Sequence, residues 1–168
     1  MESEPETTPR VFVFMGVSGC GKSTIGSAFA RATGGTFLDG DDFHPPGNVA
    51  KMSGGIPLDD DDRDGWIAAI AQAIRTSDAN PLCIACSALR KKHRDALRAA
   101  DATLTFIYLD GARQLLEQRL ADRRGHFMPA GLLDSQLADL EAPAEAVRID
   151  ISAAPDTIIA ELKQKFGL

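Results

Sequence analysis

The sequence predicts an α/β domain in which a mainly parallel sheet of five strands is covered by helices on both faces. Three observations support this class. Short apolar segments alternate with helix-like ones along residues 10–168, a glycine-rich turn joins the first strand to the first helix, and no repeat or linker divides the chain. With 168 residues, 44% of them hydrophobic, the chain is long enough to bury one core.

Each element follows from its local pattern. The first strand is a continuous apolar, β-prone run, and Ile25 and Phe29 then recur at helical spacing. A helix through Trp66 and Ile70 is expected to begin after Asp60 or Asp62 as N-cap. Strands are predicted at residues 11–15, 36–38, 82–86, 104–109 and 147–151. Helices are predicted at 22–33, from about 60 to 74, and at about 90–100, 112–123 and 155–166, with a polar stretch after the fourth.

Composition excludes several classes of protein. Residues 1–9 carry three Glu and no apolar block, so we expect a disordered tail and not a leader. The longest apolar runs are far below the ~18 residues of a membrane span, and the net charge of −6 argues against nucleic-acid binding. Three cysteines indicate a reducing, cytoplasmic setting, and the spacing of Cys83 and Cys86 along a strand predicts buried thiols on opposite faces.

One motif carries the chemistry. The pattern G-x-x-x-x-G-K-[ST], placed between a strand and a helix, predicts a phosphate-binding loop for ATP. Lys22 is expected to bridge the β- and γ-phosphates, and Ser23 to place its hydroxyl on Mg²⁺. The loop residues are Gly16, Val17, Ser18, Gly19, Cys20, Gly21, Lys22 and Ser23, with Thr24 next in the helix.

The rest of the sequence favours a small kinase. It has no N-K-x-D guanine signature, and the third strand lacks the terminal Asp that holds Mg²⁺ in many P-loop ATPases. Asp41, in the acidic loop after the second strand, is therefore the predicted carboxylate that accepts a hydroxyl proton or holds the metal. Asp39 and Asp42 in the same loop are equally consistent with a simple turn.

Basic residues near the carboxyl ends of the strands predict an anionic acceptor. Arg63, at the start of a helix, could hold a carboxylate in a bidentate pair. The cationic segment 90–94 could steer the acceptor, although about half of its charges are expected to be solvent-exposed only. Arg119, Arg123 and Arg124 lie where a mobile lid at about 123–142 could close and neutralise the γ-phosphate.

The ordered blocks of the chain resemble the ATP-dependent gluconate kinases, a family of small P-loop kinases. The specific patterns are D-G-D-D-F-H-P after the second strand, D-D-R-D-G-W, C-S-A-L and R-G-H-F, which run in order over about residues 11–142. Asp59 and Arg90 stand where the family usually has Asn and Lys. The resemblance implies a three-layer P-loop kinase fold, ATP and Mg²⁺ as cofactors, phosphorylation of the 6-hydroxyl of D-gluconate, and a homodimer. It also implies a sugar-acid pocket formed by Asp41, His44, Lys51, Arg63, Lys91 and His126.

Two other readings stay open at this point. The first is another small P-loop kinase, acting on shikimate or adenylyl sulfate, since the latter kinases also carry an L-D-G-D-like loop. The second is a regulatory module that binds nucleotide and transfers nothing. A screen of acceptors distinguishes all three readings.

Overall fold

The computed structural model describes residues 8–122 and 131–168. Its five strands are β1 (Val11–Met15), β2 (Thr36–Asp39), β3 (Leu82–Ala85), β4 (Thr105–Asp110) and β5 (Val147–Asp150). Its helices are α1 (Lys22–Thr33), α2 (Pro46–Ser53), α3 (Asp60–Thr76), α4 (Lys91–Arg98), α5 (Arg113–Ala121), α6 (Leu132–Asp139) and α7 (Pro155–Phe166). All neighbouring strands are parallel, in the order β2-β3-β1-β4-β5. The predicted α/β class with a five-stranded parallel sheet is confirmed.

The central strand β1 is fully buried because helices cover both of its faces. Phe12 and Phe14 point toward α1, and both rings contact Phe29 at centroid distances of 5.1 and 5.7 Å. Val13, on the opposite face, packs with Ile70 and the rest of the buried stripe of α3. The alternation of the strand side chains thus produces two cores, one on each side of the sheet.

Cys83, the second residue of β3, and Cys86, just past its end, lie on opposite faces of the sheet, as predicted. Cys83 belongs to the core beside α1, whereas Cys86, just past the strand, belongs to the core beside α3. Burial raises the pKa of each thiol to about 12. Cys20 is also buried and free, so none of the three cysteines forms a disulfide.

The start of α3 corrects the prediction. The N-cap is Asp59, not Asp60 or Asp62, because Asp59 and Asp62 cap each other reciprocally. The Asp59 side chain accepts from the Asp62 N–H at 2.8 Å, and the Asp62 carboxylate accepts from the Asp59 N–H at 3.0 Å. In a run of four aspartates, only these two hydrogen bonds identify the cap.

Three short elements were not predicted. A 3₁₀ turn spans Gly40–Phe43, α2 follows directly, and α6 occupies part of the stretch predicted as a lid. Each is too short for a clear periodicity, and α2 begins on consecutive prolines that resemble a turn. β3 ends one residue earlier than predicted, while β2, β4 and β5 differ by a residue at their ends. No helix of the described residues is long and apolar enough to cross a membrane.

Candidate active site

The phosphate-binding loop connects β1 to α1 at the carboxyl edge of the sheet. Gly19 has φ +89°, and a Cβ there would lie 3.2 Å from the carbonyl oxygen of Leu116. Gly21 also has a left-handed backbone and precedes α1, whose first turn has no side-chain cap among the described residues. The backbone N–H groups of this first turn are therefore free to bind an anion at the helix N-terminus.

Polar groups of this loop are held by the chain itself. The Lys22 ammonium donates to the carbonyl oxygens of Gly16 at 3.0 Å and Val17 at 3.2 Å. The Ser18 N–H donates to the side-chain oxygen of Gln136, on α6, at 2.6 Å. The two predicted loop residues with buried side chains, Val17 and Cys20, can therefore contribute only backbone groups to a ligand.

Beside this loop, the end of β2 supplies a carboxylate. Ser23 Oγ lies 3.3 Å from one carboxylate oxygen of Asp39, and the other oxygen accepts the Asp41 N–H at 3.0 Å. The structure thus brings Asp39, and not Asp41, into contact with the proposed metal-binding hydroxyl. The sequence is equally consistent with Asp39 as a simple turn residue. In the structure Asp39 has two roles, because one carboxylate oxygen caps the turn and the other faces Ser23. The feature of Asp39 that could have indicated this role is its position at the carboxyl end of β2.

The acidic loop is anchored by aromatic contacts. The His44 ring stacks on Trp66 at 4.4 Å with an interplanar angle of 13°, and the Trp66 indole N–H donates to the Gly40 carbonyl at 2.7 Å. Asn48 Nδ2 lies 3.2 Å from His44 Nδ1. Burial lowers the pKa of His44, while the nearby Asp41 acts in the opposite direction. The loop carrying Asp41 is therefore fixed against α3.

The remaining predicted acceptor residues meet carboxylates. Lys51 donates to Asp62 at 2.6 Å, a hydrogen bond that lowers the pKa of Asp62 and raises that of Lys51. Arg63 Nη1 lies 3.4 Å from Asp139 on α6. Lys91 pairs with Asp95 on its own helix and is not brought to this cluster.

The cationic segment 90–94 has a partly different role from the predicted one. Arg94 is only 1% exposed and donates to the carbonyls of Ala88 and Leu89 at 2.8 and 2.9 Å, so it is structural and cannot steer an acceptor. Arg90 Nη2 instead contacts Asp139, at 2.9 Å. Lys92 contacts aspartates at the start of α3. Local sequence gave no indication of which of these cations is buried.

A pocket of about 240 Å³ adjoins the phosphate-binding loop. Its lining includes Gly19, Gly21 and Thr24 of the loop and α1, together with Arg119, Ile151 and Ile158. The Arg119 guanidinium is held by a hydrogen bond of 2.7 Å to the Ile151 carbonyl. Apolar walls and a fixed guanidinium suit a flat aromatic ring. The other predicted lid residues, Arg123, Arg124 and His126, lie outside the described residues.

Comparisons with known proteins agree with this geometry. A family model described as shikimate kinase matches residues 18–158. The chain is 41% identical over 170 residues to a gluconokinase of Gluconobacter oxydans (strain 621H), covering 98% of this chain and 96% of the relative. It is 40% identical to the thermoresistant gluconokinase of Escherichia coli (strain K12), covering 89% of each.

A solved structure extends this similarity to three dimensions. The crystal structure of a gluconokinase from Sinorhizobium meliloti 1021 superposes with a TM-score of 0.85 at 42% identity, covering 95% of this chain and 93% of that one. The phosphate-binding loop, the acidic loop after β2 and the arginines at the carboxyl edge are thus set in a shared fold. This chain belongs to the gluconokinase family of P-loop kinases.

Proposed function

We propose that this enzyme is a gluconokinase, which transfers the γ-phosphate of ATP to the 6-hydroxyl of D-gluconate and releases 6-phospho-D-gluconate and ADP. The observation that carries the proposal is the 41% identity to a gluconokinase over 98% of the chain. The site supports it, because an anion-binding loop, an acidic loop and two arginines meet near the carboxyl edge of one parallel sheet.

On the donor side, the phosphates of ATP bind the backbone N–H groups of the loop and the first turn of α1. Lys22 then exchanges its bonds to the Gly16 and Val17 carbonyls for the β- and γ-phosphate oxygens. The adenine ring occupies the pocket beside Arg119, whose guanidinium offers a flat cationic face. Arg123 and Arg124, in the proposed lid at about 123–142, neutralise charge on the γ-phosphate.

The oxygen ligands present fit Mg²⁺. Ser23 Oγ and the Asp39 carboxylate lie 3.3 Å apart and are the hard oxygen donors that this ion prefers. Ser23 and Asp39 would hold the ion, with Asp41 nearby as the sequence suggests. When bound, Mg²⁺ neutralises phosphate charge during transfer.

On the acceptor side, Asp41 receives the proton of the 6-hydroxyl. The hydroxyl oxygen forms a bond to the γ-phosphorus while the bond from that phosphorus to the bridging oxygen of ADP breaks. Arg63 binds the carboxylate of the sugar acid, and Lys51 and His44 contact its hydroxyls. His126 completes the acceptor site in this proposal, and Lys91, which pairs with Asp95 on its own helix, is left out of it.

The same proposal covers the setting of the enzyme. In this proposal the enzyme has a tail at residues 1–9 and one catalytic domain at residues 10–168. It forms a homodimer in the cytoplasm. Three free cysteines support a reducing compartment. The family resemblance supports the dimer, and light scattering of the purified protein tests it.

A coupled assay of ADP release with Mg-ATP tests the function. The panel contains D-gluconate, other aldonates, shikimate, adenylyl sulfate and nucleoside monophosphates. We expect the wild-type enzyme to turn over D-gluconate. The Lys22→Ala variant should show no turnover while keeping the melting temperature of the wild type.

The shikimate kinase model that matches residues 18–158 makes shikimate the second candidate. Turnover with shikimate and not with D-gluconate would replace the proposal. ATP binding without transfer to any acceptor would favour a regulatory module.

A further inference from the structure

Two arginines share one carboxylate of the chain near the acceptor side of the site. Asp139, the last residue of α6, places one oxygen 2.9 Å from Arg90 Nη2 and the other 3.4 Å from Arg63 Nη1. The Asp139 side chain is 20% exposed, and the two arginine side chains are about one third exposed. A carboxylate divided between two guanidiniums is the arrangement that a carboxylate ligand would adopt there.

The position of this pair places it beside the proposed acceptor site. Arg63 lies in the first turn of α3, three residues before Trp66, so the two side chains project from the same face of the helix. Trp66 contacts both the Gly40 carbonyl and the His44 ring. Arg90 lies in the segment that follows β3, directly before α4. The guanidinium pair and the loop of Asp41 thus flank the same stretch of α3.

Arg90 has binding capacity that the described residues do not use. Its Nε is buried and finds no hydrogen-bond partner within residues 8–122 and 131–168. The Asp60 carboxylate is 4.0 Å from this atom and lies closer to Lys92, at 3.5 Å. A buried donor without an acceptor is unfavourable, and it is relieved when an additional oxygen arrives.

We infer that Arg90 acts with Arg63 as a specificity determinant for the acceptor's carboxylate, and that Asp139 is an internal substitute which occupies the pair until the acceptor binds. This inference rests on the proposed function, which assigns the carboxylate to Arg63 alone. Binding exchanges one carboxylate for another on the two guanidiniums, and no covalent step is involved. An acceptor without a carboxylate cannot make the exchange, so uncharged polyols are rejected.

The test uses substitutions on both sides of the contact. Arg90→Gln should raise KM for D-gluconate about 10- to 100-fold, because a charge-assisted hydrogen bond to the substrate is lost. Asp139→Asn should lower KM several-fold, because the internal competitor loses its charge. KM for ATP should stay unchanged in both variants. A purely structural ion pair predicts impairment from either substitution, so the opposite signs are diagnostic.

Two controls complete the design. Asp134→Asn removes the ion pair of α6 with Arg113, which lies on another helix, and should leave KM for D-gluconate unchanged. D-Glucitol has the hydroxyls of gluconate without the carboxylate, so Arg90→Gln should narrow the gluconate-to-glucitol ratio of kcat/KM at least tenfold.

Equal losses in Arg90→Gln and Asp139→Asn, or an unchanged gluconate-to-glucitol ratio, would overturn the inference. Failure of the proposed function is a separate result, since the wild-type enzyme would then show no turnover with D-gluconate at all. If Arg90→Gln does not fold, a KM in Asp139→Asn that is equal to or above the wild-type value is sufficient to reject the inference.

Discussion

Replacing Arg94 by methionine should destabilise the enzyme more than replacing any neighbouring cation of α4. The guanidinium is 1% exposed and joins the segment after β3 to the segment before β5. Its hydrogen bonds reach the carbonyls of Ala88, Leu89 and Glu141 at 2.8 to 2.9 Å and the carboxylate of Glu145 at 2.9 Å. Methionine has a similar length and no donor, so all four acceptors lose the Arg94 bond, and the Leu89 carbonyl keeps another donor, the Glu141 N–H at 2.8 Å.

The magnitude follows from these contacts. Removing one partner of a buried charge pair costs about 3–5 kcal/mol, and the carbonyls of Ala88 and Glu141, which are left without a donor among the described residues, bring Arg94→Met toward the upper end. In a chain of this size each kcal/mol shifts the melting temperature by about 2–4 °C, which gives a decrease on the order of 10 °C. Urea unfolding, followed by the fluorescence of the single tryptophan, measures the free energy of unfolding directly.

Arg98→Met is the matched control. Arg98 lies one helical turn later, its side chain is 36% exposed, and it approaches the same Glu145 only to 3.7 Å. Its loss should cost less than about 1 kcal/mol. The reasoning is refuted if Arg94→Met stays within about 1 kcal/mol of wild type, or if both variants lose the same free energy of unfolding.

Three further predictions concern turnover, nucleotide affinity and pH. Asp41→Asn should lower kcat about 100-fold and leave the Kd for ATP unchanged, and wild-type turnover in this variant would disprove the proton-accepting role. Gln136→Ala should strengthen binding of a non-hydrolysable ATP analogue in calorimetry, because the Ser18 N–H then has no internal acceptor to exchange; weaker binding would show that Gln136 supports the bound state. Burial lowers the pKa of both His44 and His93. As the pH falls below about 6.5, these histidines therefore take up protons in the unfolded chain before they do so in the folded one. The free energy of unfolding should decrease over this range, down to the lowered pKa values. Urea unfolding at pH 7.5 and 5.5 checks this, and the pH dependence should flatten in His93→Gln.

The parts of the fold that depend on local pattern could be predicted from the sequence. β1 is apolar at every position because both of its faces are covered, and α1 has exactly its predicted bounds because a glycine turn starts it and Gly34 ends it. The phosphate-binding loop is likewise specified by neighbouring residues. The cap of α3 was missed because Asp59, Asp60 and Asp62 have the same local chemistry and differ only in register.

Contacts between distant segments could not be predicted in this way. Arg94 looks like any exposed helix cation until Glu141 and Glu145, which follow α6, are folded against it. Asp139 of α6 contacts both Arg63 of α3 and Arg90, which directly precedes α4. No spacing in the sequence predicts these contacts. Local pattern therefore predicts elements and turns that are built from neighbouring residues, and it does not predict contacts that are assembled from several segments.

Two polar groups of the phosphate-binding loop are already bonded within the chain. The Lys22 ammonium is solvated by two loop carbonyls, and the Ser18 N–H is occupied by Gln136. For these two groups nucleotide binding exchanges one partner for another, whereas the N–H groups of the first turn of α1, which no described side chain caps, bind phosphate without giving up a partner. A small anion that replaces only one of these internal bonds gains little, whereas a polyphosphate replaces them together, so the loop selects by the number of oxygens offered at once.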